Sequence, residues 1–336
     1  MIREYLKLAR SFNAVLTGIS PVMGAIAMQQ YNSVHLLLLF FVGFLGHTYG
    51  FILNDILDYK IDKSSKEISI RPLVSGTISI KKAWTLALAS MIAAFIIAIY
   101  LASITHSYFS LIILIISAFF VTLYDFISKK FYFGDFVVAS GIFVLILYGA
   151  TTVNENICQI SNIAWLVCIL GTIQVLYMQI VAGGIKDIEN DYNMGAKTLA
   201  IKMGVRVTDG NLKVSVGYKT TAYMIQITNA LFVFVPLFII KEFNTPSILR
   251  YFQLITLSII ALSMFIPTYK IFSMKRFERP KAIKFIGLYY TCNFALVPIM
   301  LMSLNPWAGL LVFFPPLGFI FSNIILHGTI LQPKTM

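Results

Sequence analysis

The residues best suited to chemistry lie in Asn54-Asp55-Ile56-Leu57-Asp58-Tyr59-Lys60-Ile61-Asp62, where three carboxylates and an amide crowd into nine positions. If the segment stays helical, Asn54, Asp58 and Asp62 follow at i, i+4 and i+8 and line one face, while Asp55 points away from it. At a rise of about 1.5 Å per residue, neighbours in that row stand roughly 6 Å apart. Carboxylates that close repel one another unless a cation or a proton sits between them. Hard oxygen donors at the edge of an apolar run suit Mg²⁺, and Mg²⁺ commonly brings a phosphate with it. Read in isolation, the same nine residues also describe a solvated helix end.

A second acidic stretch decides between the two. Lys186-Asp187-Ile188-Glu189-Asn190-Asp191-Tyr192-Asn193-Met194-Gly195 repeats the spacing, with Asp187 and Asp191 on one face and Glu189 elsewhere. Arg71-Pro72-Leu73 and Gly76 follow the first pair; Lys197-Thr198-Leu199 and Gly204 follow the second. The Asp pairs are 129 residues apart (187 − 58), which reads as an internal pseudo-repeat. Brought together, they would hold two Mg²⁺ ions through the oxygens of a bridging diphosphate. Arg71, beside a rigid proline, would grip phosphate oxygens bidentately, and Lys60, Lys129, Lys130 or Lys186 would act as point charges. Tyr124 could hydrogen-bond a phosphate oxygen or stack on an allylic chain, although an interfacial aromatic explains it equally well. The four histidines show no ligand spacing; His47 lies seven residues before Asn54 on the same face, and core packing is its simpler account.

These side chains must be positioned by membrane helices. The 336 residues are 58% hydrophobic and only 12% charged, with a mean hydropathy of +0.83; soluble domains carry about twice that charge. Apolar windows long enough to span about 30 Å of hydrocarbon recur near 12–30, 35–54, 83–102, 106–124, 136–152, 162–183, 219–240, 251–269, 284–304 and 307–327. In the last, Pro315 and Pro316 would break a helix, leaving a re-entrant pair or a surface helix as alternatives. The net charge of +12 does not point to nucleic acid, because the cations sit between apolar spans. Ten spans place 24 of the 26 cations on one side, leaving only Lys241 and Arg250, and 12 of the 14 acids there too, leaving Glu155 and Glu242. By the positive-inside rule that side is cytoplasmic, with both termini and the acidic loops on it. Met1–Arg10, basic and amphipathic, reads as a retained first segment leading straight into a span. Cys158, Cys168 and Cys292 have neither metal nor disulfide spacing and read as packing residues. The loop from Met203 to Gly217 has no evident chemistry; it reads as a mobile cap or a tolerated insertion.

Two other classes fit less well. A secondary transporter places its ionisable groups near the bilayer midplane on broken helices, whereas these acids sit at helix ends. A membrane phosphatidyltransferase also uses an Asp-rich helix, but its compact motif with Gly and Ala-Arg between the acids is missing.

Asn54-Asp55-x-x-Asp58-x-x-x-Asp62, Arg71-Pro72-Leu73 with Gly76, and Asp187-x-Glu189-x-Asp191-x-x-x-Gly195-x-x-Thr198 together resemble the UbiA superfamily of intramembrane prenyltransferases. The resemblance runs from Arg10 to about the eighth span. It implies an all-α polytopic membrane protein of nine to ten transmembrane helices around a central cavity with cytoplasmic cap loops. It implies one domain over 1–336, with pseudo-repeat halves of about 1–130 and 131–270 and a C-terminal helical pair at about 284–327. By this likeness Asn54, Asp58, Asp62, Asp187 and Asp191 hold Mg²⁺ and diphosphate, while Arg71, Tyr124, Lys129 and Lys130 match diphosphate-facing positions. Asp125 follows Tyr124 where the family leads one to expect a small residue. The expected reaction ionises a polyprenyl diphosphate and transfers the prenyl group to a lipophilic acceptor, with Asp62 or Asp191 taking the acceptor's proton. A prenylated glycerol phosphate leads as acceptor, ahead of an aromatic ring such as 4-hydroxybenzoate or dihydroxynaphthoate; no obligate protein partner is implied.

Overall fold

The computed structural model describes residues 1–63, 69–240, 243 and 247–330. Lys66, Lys241, Glu242 and Lys334 of the charge pattern lie outside the described residues. Each apolar window forms a helix. The short helix α1 (Ile2–Leu8) leads through Arg10 to α2 (Ser11–Ala27), followed by α3 (Ser33–Leu57), α4 (Tyr59–Asp62), α5 (Ile80–Thr105), α6 (Phe109–Ile127) and α7 (Gly134–Thr151). The second half holds α8 (Asn162–Tyr177), a π-helical segment over Met178–Gly183, α9 (Gly184–Lys186), α10 (Ile188–Asn193), α11 (Leu199–Lys202) and α12 (Val216–Ile239). α13 (Ile248–Ser263), α14 (Phe265–Phe272), α15 (Arg279–Leu301) and α16 (Phe314–His327) complete the chain. Among the described residues nine helices are long and apolar enough to cross a membrane; α2, with 17 residues, is apolar and slightly shorter. The protein is a multi-pass membrane protein.

Two departures from expectation have local causes. Met1–Arg10 does not run straight into the first span, because Arg10 adopts a left-handed backbone (φ 44°, ψ 45°) between α1 and α2. Pro315 and Pro316 do not break the last span. Tight 3₁₀ turns over Pro306–Phe313 lead into α16, and the prolines fall in its first turn, where a missing N–H removes no helical bond.

Lipid offers no hydrophobic drive for helix association, so packing rests on close approach of small residues. α5 turns Ala83, Ala87, Ser90, Ala94 and Ala98 inward and Ile92, Ile96 and Ile99 outward, and α3 and α5 share one of the most extensive interfaces. α2 meets α7 at Gly24 and Gly149. A Cβ at Gly149 would fall 1.8 Å from the Pro21 carbonyl oxygen, and one at Gly24 would fall 2.0 Å from that of Ile146. Glycine is therefore required at both positions.

The 203–217 loop is neither featureless nor isolated. It forms a hairpin of β1 (Arg206–Thr208) and β2 (Asn211–Lys213), paired antiparallel with Val207 opposite Leu212. The turn residues Asp209 (φ 53°) and Gly210 (φ 74°) supply the positive φ values that a two-residue hairpin turn requires. Its outer edge binds the segment before α15: Leu212 N–H donates to the Lys275 carbonyl at 3.0 Å, and Phe277 N–H to the Gly210 carbonyl at 2.9 Å. β1 also packs against α10, which carries the second acidic motif.

Candidate active site

Both acidic motifs are built alike. α3 stops at Leu57, yet Asp58 N–H donates to the Asn54 carbonyl and Asp62 N–H to the Asp58 carbonyl, each at 2.9 Å. Helical spacing therefore continues through the break. In the second motif, Asp187 interrupts the helix, and Asp191 N–H donates to the Asp187 carbonyl at 2.9 Å. Ahead of it, the π-helical turn shifts the backbone by one residue; such bulges recur at functional sites. Tyr218 secures it by donating to the Ile180 carbonyl at 2.6 Å. Gln179 and Gly183 of this turn line a cavity of about 290 Å³.

That cavity gathers Asn54, Asp58, Asp62, Arg71, Tyr124, Lys129, Lys186, Asp187 and Asp191 in its wall. Lys130, in the turn just after α6, is exposed to solvent and not part of it. Deeper in, Val42, Phe95, Leu114, Val121, Ile142 and Leu145 make the wall apolar. The cavity thus has a charged end and a hydrocarbon-like interior.

The carboxylates do not meet as a bare cluster. Among the described residues no three His, Cys, Asp or Glu side chains are grouped tightly enough to hold a metal by themselves. The protein's own cations lie between them instead. Lys129 Nζ lies 3.1 Å from Asp58 and 3.8 Å from Asp62, and Arg71 lies 2.5 Å from Asp62. Asp187 is flanked by Lys186 at 3.3 Å and Arg279 at 3.0 Å. Burial raises the Asp58 carboxyl above its ordinary value, against the pull of Lys129. Burial would raise Asp187 too, but Lys186, Arg279 and Arg71 outweigh it and hold that carboxyl well below the usual range. Asp191 is the exception: burial, reinforced by Asp187, raises it to about 7, and its Oδ1 is buried without a hydrogen-bond partner. An all-oxygen donor set with an open carboxylate oxygen fits Mg²⁺, which keeps several water or phosphate ligands of its own.

Several site residues escaped the sequence reading. Arg279 opens α15, 92 residues from Asp187 (279 − 187), and Arg10 lies at the α1–α2 break; neither belongs to an acidic motif. Asp55 does point away from the cavity: its Oδ1 is 2.5 Å from Arg10 and 3.6 Å from Arg71. Asp125 lines the cavity and is hydrogen-bonded to the Asn54 side chain. With the Asn54 amide N–H donating to Asp125, the Asn54 oxygen is left for a cation. Tyr124 donates to Gln179 Oε1 at 3.3 Å. His47 lines the cavity as well, stacked on Phe51 and joined to Thr17 at 2.8 Å.

Comparison with known proteins agrees with this architecture. Digeranylgeranylglyceryl phosphate synthase of Saccharolobus solfataricus is 30% identical over 214 residues, covering 61% of this chain and 70% of that protein. The 4-hydroxybenzoate octaprenyltransferase of Francisella tularensis is 27% identical over 190 residues, covering 56% and 64%. Among solved structures, a UbiA homologue from Archaeoglobus fulgidus bound to GPP and Mg²⁺ superposes with a TM-score of 0.62 at 13% identity, covering 90% of this chain and 99% of that one. A digeranylgeranylglyceryl phosphate synthase structure superposes at 0.60 and 21% identity, covering 92% and 99%. At these identities the structures show a common fold. The family description "UbiA prenyltransferase family" matches residues 14–282, a stretch containing both acidic motifs and most of the cavity wall between them, and the chain belongs to that family.

Proposed function

We propose that the protein transfers a polyprenyl group, best read as geranylgeranyl, from its diphosphate to the hydroxyl of a prenylated glycerol phosphate, the step that yields a diether lipid core. The observation that carries this reading is a cavity with two acidic motifs at one end and a hydrocarbon-like interior. The digeranylgeranylglyceryl phosphate synthases among its relatives support the acceptor. Asn54, Asp58, Asp62, Asp187 and Asp191 would hold Mg²⁺, which supplies charge neutralisation for the departing diphosphate when bound. Arg71, Lys129 and Lys186 hold the phosphate oxygens, and Tyr124 borders them. The allylic C1–O bond breaks with its electron pair passing to diphosphate; the acceptor oxygen forms the new C–O bond and its proton passes to a carboxylate of the site, Asp62 or Asp191. Apolar side chains exclude water, so the allylic cation meets the acceptor rather than solvent.

The like-built motifs support a pseudo-repeat of halves near 1–130 and 131–270, and the basic loops support a cytoplasmic charged end. The aromatic prenyltransferase relative keeps a second acceptor class in view. Purified protein given radiolabelled geranylgeranyl diphosphate, Mg²⁺ and either geranylgeranylglyceryl phosphate or 4-hydroxybenzoate tests the reading. Label should appear in a diether phosphate with diphosphate release. Label only in the aromatic product, or flux of diphosphate into liposomes without transfer, would overturn it.

A further inference from the structure

We infer that Arg10 and Asn13, at the start of α2, form a subsite on the cavity wall that binds the anionic headgroup of the acceptor. This rests on the acceptor reading above and extends it to residues outside both acidic motifs.

Arg10 is held in a conformation that a non-glycine residue adopts only under constraint, φ 44° and ψ 45°. Such strain persists where the surrounding structure over-determines it. Here it turns the guanidinium inward: Arg10 is 7% exposed and lines the cavity. Its Nη2 is anchored 2.5 Å from Asp55 Oδ1, and Cζ lies 4.9 Å above the Phe51 ring. Nε, on the edge of the same planar fork, is buried with no hydrogen-bond partner.

One turn further on, Asn13 also lines the cavity, is 8% exposed, and leaves Oδ1 buried without a partner. Buried polar atoms in native proteins are almost always satisfied, so two on one wall call for a ligand. The missing partner must accept from a guanidinium and donate to an amide oxygen. A phosphate monoester beside a hydroxyl does both: the anion meets Arg10, and the hydroxyl proton meets Asn13. Prenyl diphosphate is provided for by Arg71, Lys129 and Lys186 beside the acids, and Arg71 borders the subsite, 3.6 Å from the same Asp55 oxygen that anchors Arg10. α2 contributes no acid to the wall.

The test measures steady-state transfer by the full-length protein, comparing geranylgeranylglyceryl phosphate with dephosphorylated geranylgeranylglycerol. Wild type should favour the phosphorylated acceptor. Arg10→Gln should raise its KM roughly ten- to a hundredfold, as expected for loss of a charge-assisted contact. KM for geranylgeranylglycerol and for geranylgeranyl diphosphate should stay unchanged, flattening the preference. Because Arg10→Gln leaves buried Asp55 with only the longer Arg71 contact at 3.6 Å, Arg10→Gln/Asp55→Asn is assayed beside it, and Arg10→Lys should restore part of the preference. Asn13→Ala should raise KM for both glycerol acceptors. Equal losses on both acceptors in the arginine variants, or a rise confined to the prenyl diphosphate KM, would overturn the subsite. If wild type uses only 4-hydroxybenzoate, the glycerol phosphate reading fails, and Arg10 is scored against that carboxylate. A raised KM there supports the subsite and an unchanged one overturns it.

Discussion

Arg279 Nη2 lies 3.0 Å from Asp187 Oδ1, joining the first residue of α15 to the second acidic motif. The segment just before Arg279 is held by the hairpin, through bonds from Leu212 to Lys275 and from Phe277 to Gly210. We expect Gly210→Val to lower transfer although it touches no substrate, because a left-handed backbone strains a β-branched residue by about 1–2 kcal/mol. Since it would act through Arg279, its effect should be smaller in an Arg279→Gln background; kcat/KM in the double-mutant cycle measures this. Full additivity would separate the hairpin from the site.

Asp58→Ala and Asp187→Ala should each reduce Mg²⁺-dependent transfer more than about a hundredfold, the scale of losing one preorganised electrostatic group. Circular dichroism should show the helices intact. Near-normal activity in either purified variant would sink the metal assignment.

Acidity should weaken metal binding. The Asp191 carboxyl is raised to about 7, so a proton competes with Mg²⁺ below that pH and affinity should rise from pH 6 to pH 8. The sign for stability is opposite. A carboxyl raised in the folded state stabilises below its unfolded pKa, and that stability is lost as pH rises through about 7. Asp187, held far below the usual range, stays ionised across this window and contributes no slope. The Asp191 contribution should therefore favour pH 6 over pH 8 by about 1 kcal/mol in metal-free protein, and Asp191→Asn should remove that part of the difference in a thermal-shift series.

Asp125 should tune metal binding through Asn54. Asp125→Asn keeps an oxygen that accepts from the Asn54 amide, whereas Asp125→Leu removes it and frees the amide to turn. The leucine variant should need about tenfold more Mg²⁺ for half-maximal transfer, with the asparagine variant closer to wild type. Identical Mg²⁺ titrations for wild type and the leucine variant would rule out the orienting role.

Gly149→Ala should destabilise the α2–α7 contact by about 1–3 kcal/mol, the usual range for overpacking. Its Cβ would meet the Pro21 carbonyl, which belongs to backbone and cannot rotate away. A lower thermal midpoint in detergent, with no altered Mg²⁺ requirement, is the expected result.

Local order was open to the sequence because periodicity and charge act over short distances. Apolar windows marked every long helix, and i, i+4 spacing put Asn54, Asp58 and Asp62 in one row, with Asp55 turned away. The same logic marked Asp187 and Asp191. Tertiary structure decided which distant residues complete the site. Lys129 and Lys130 look equivalent in sequence, yet of the two Lys129 pairs with Asp58 while Lys130, in the turn that follows α6, is exposed. Arg10 and Arg279 belong to no acidic motif; a left-handed break and a hairpin-held segment bring them in, and neither leaves a periodic trace. Tertiary structure also decides how the acids crowd together: Lys129, Arg71, Lys186 and Arg279 stand beside them, since buried carboxylates need a nearby cation to stay charged.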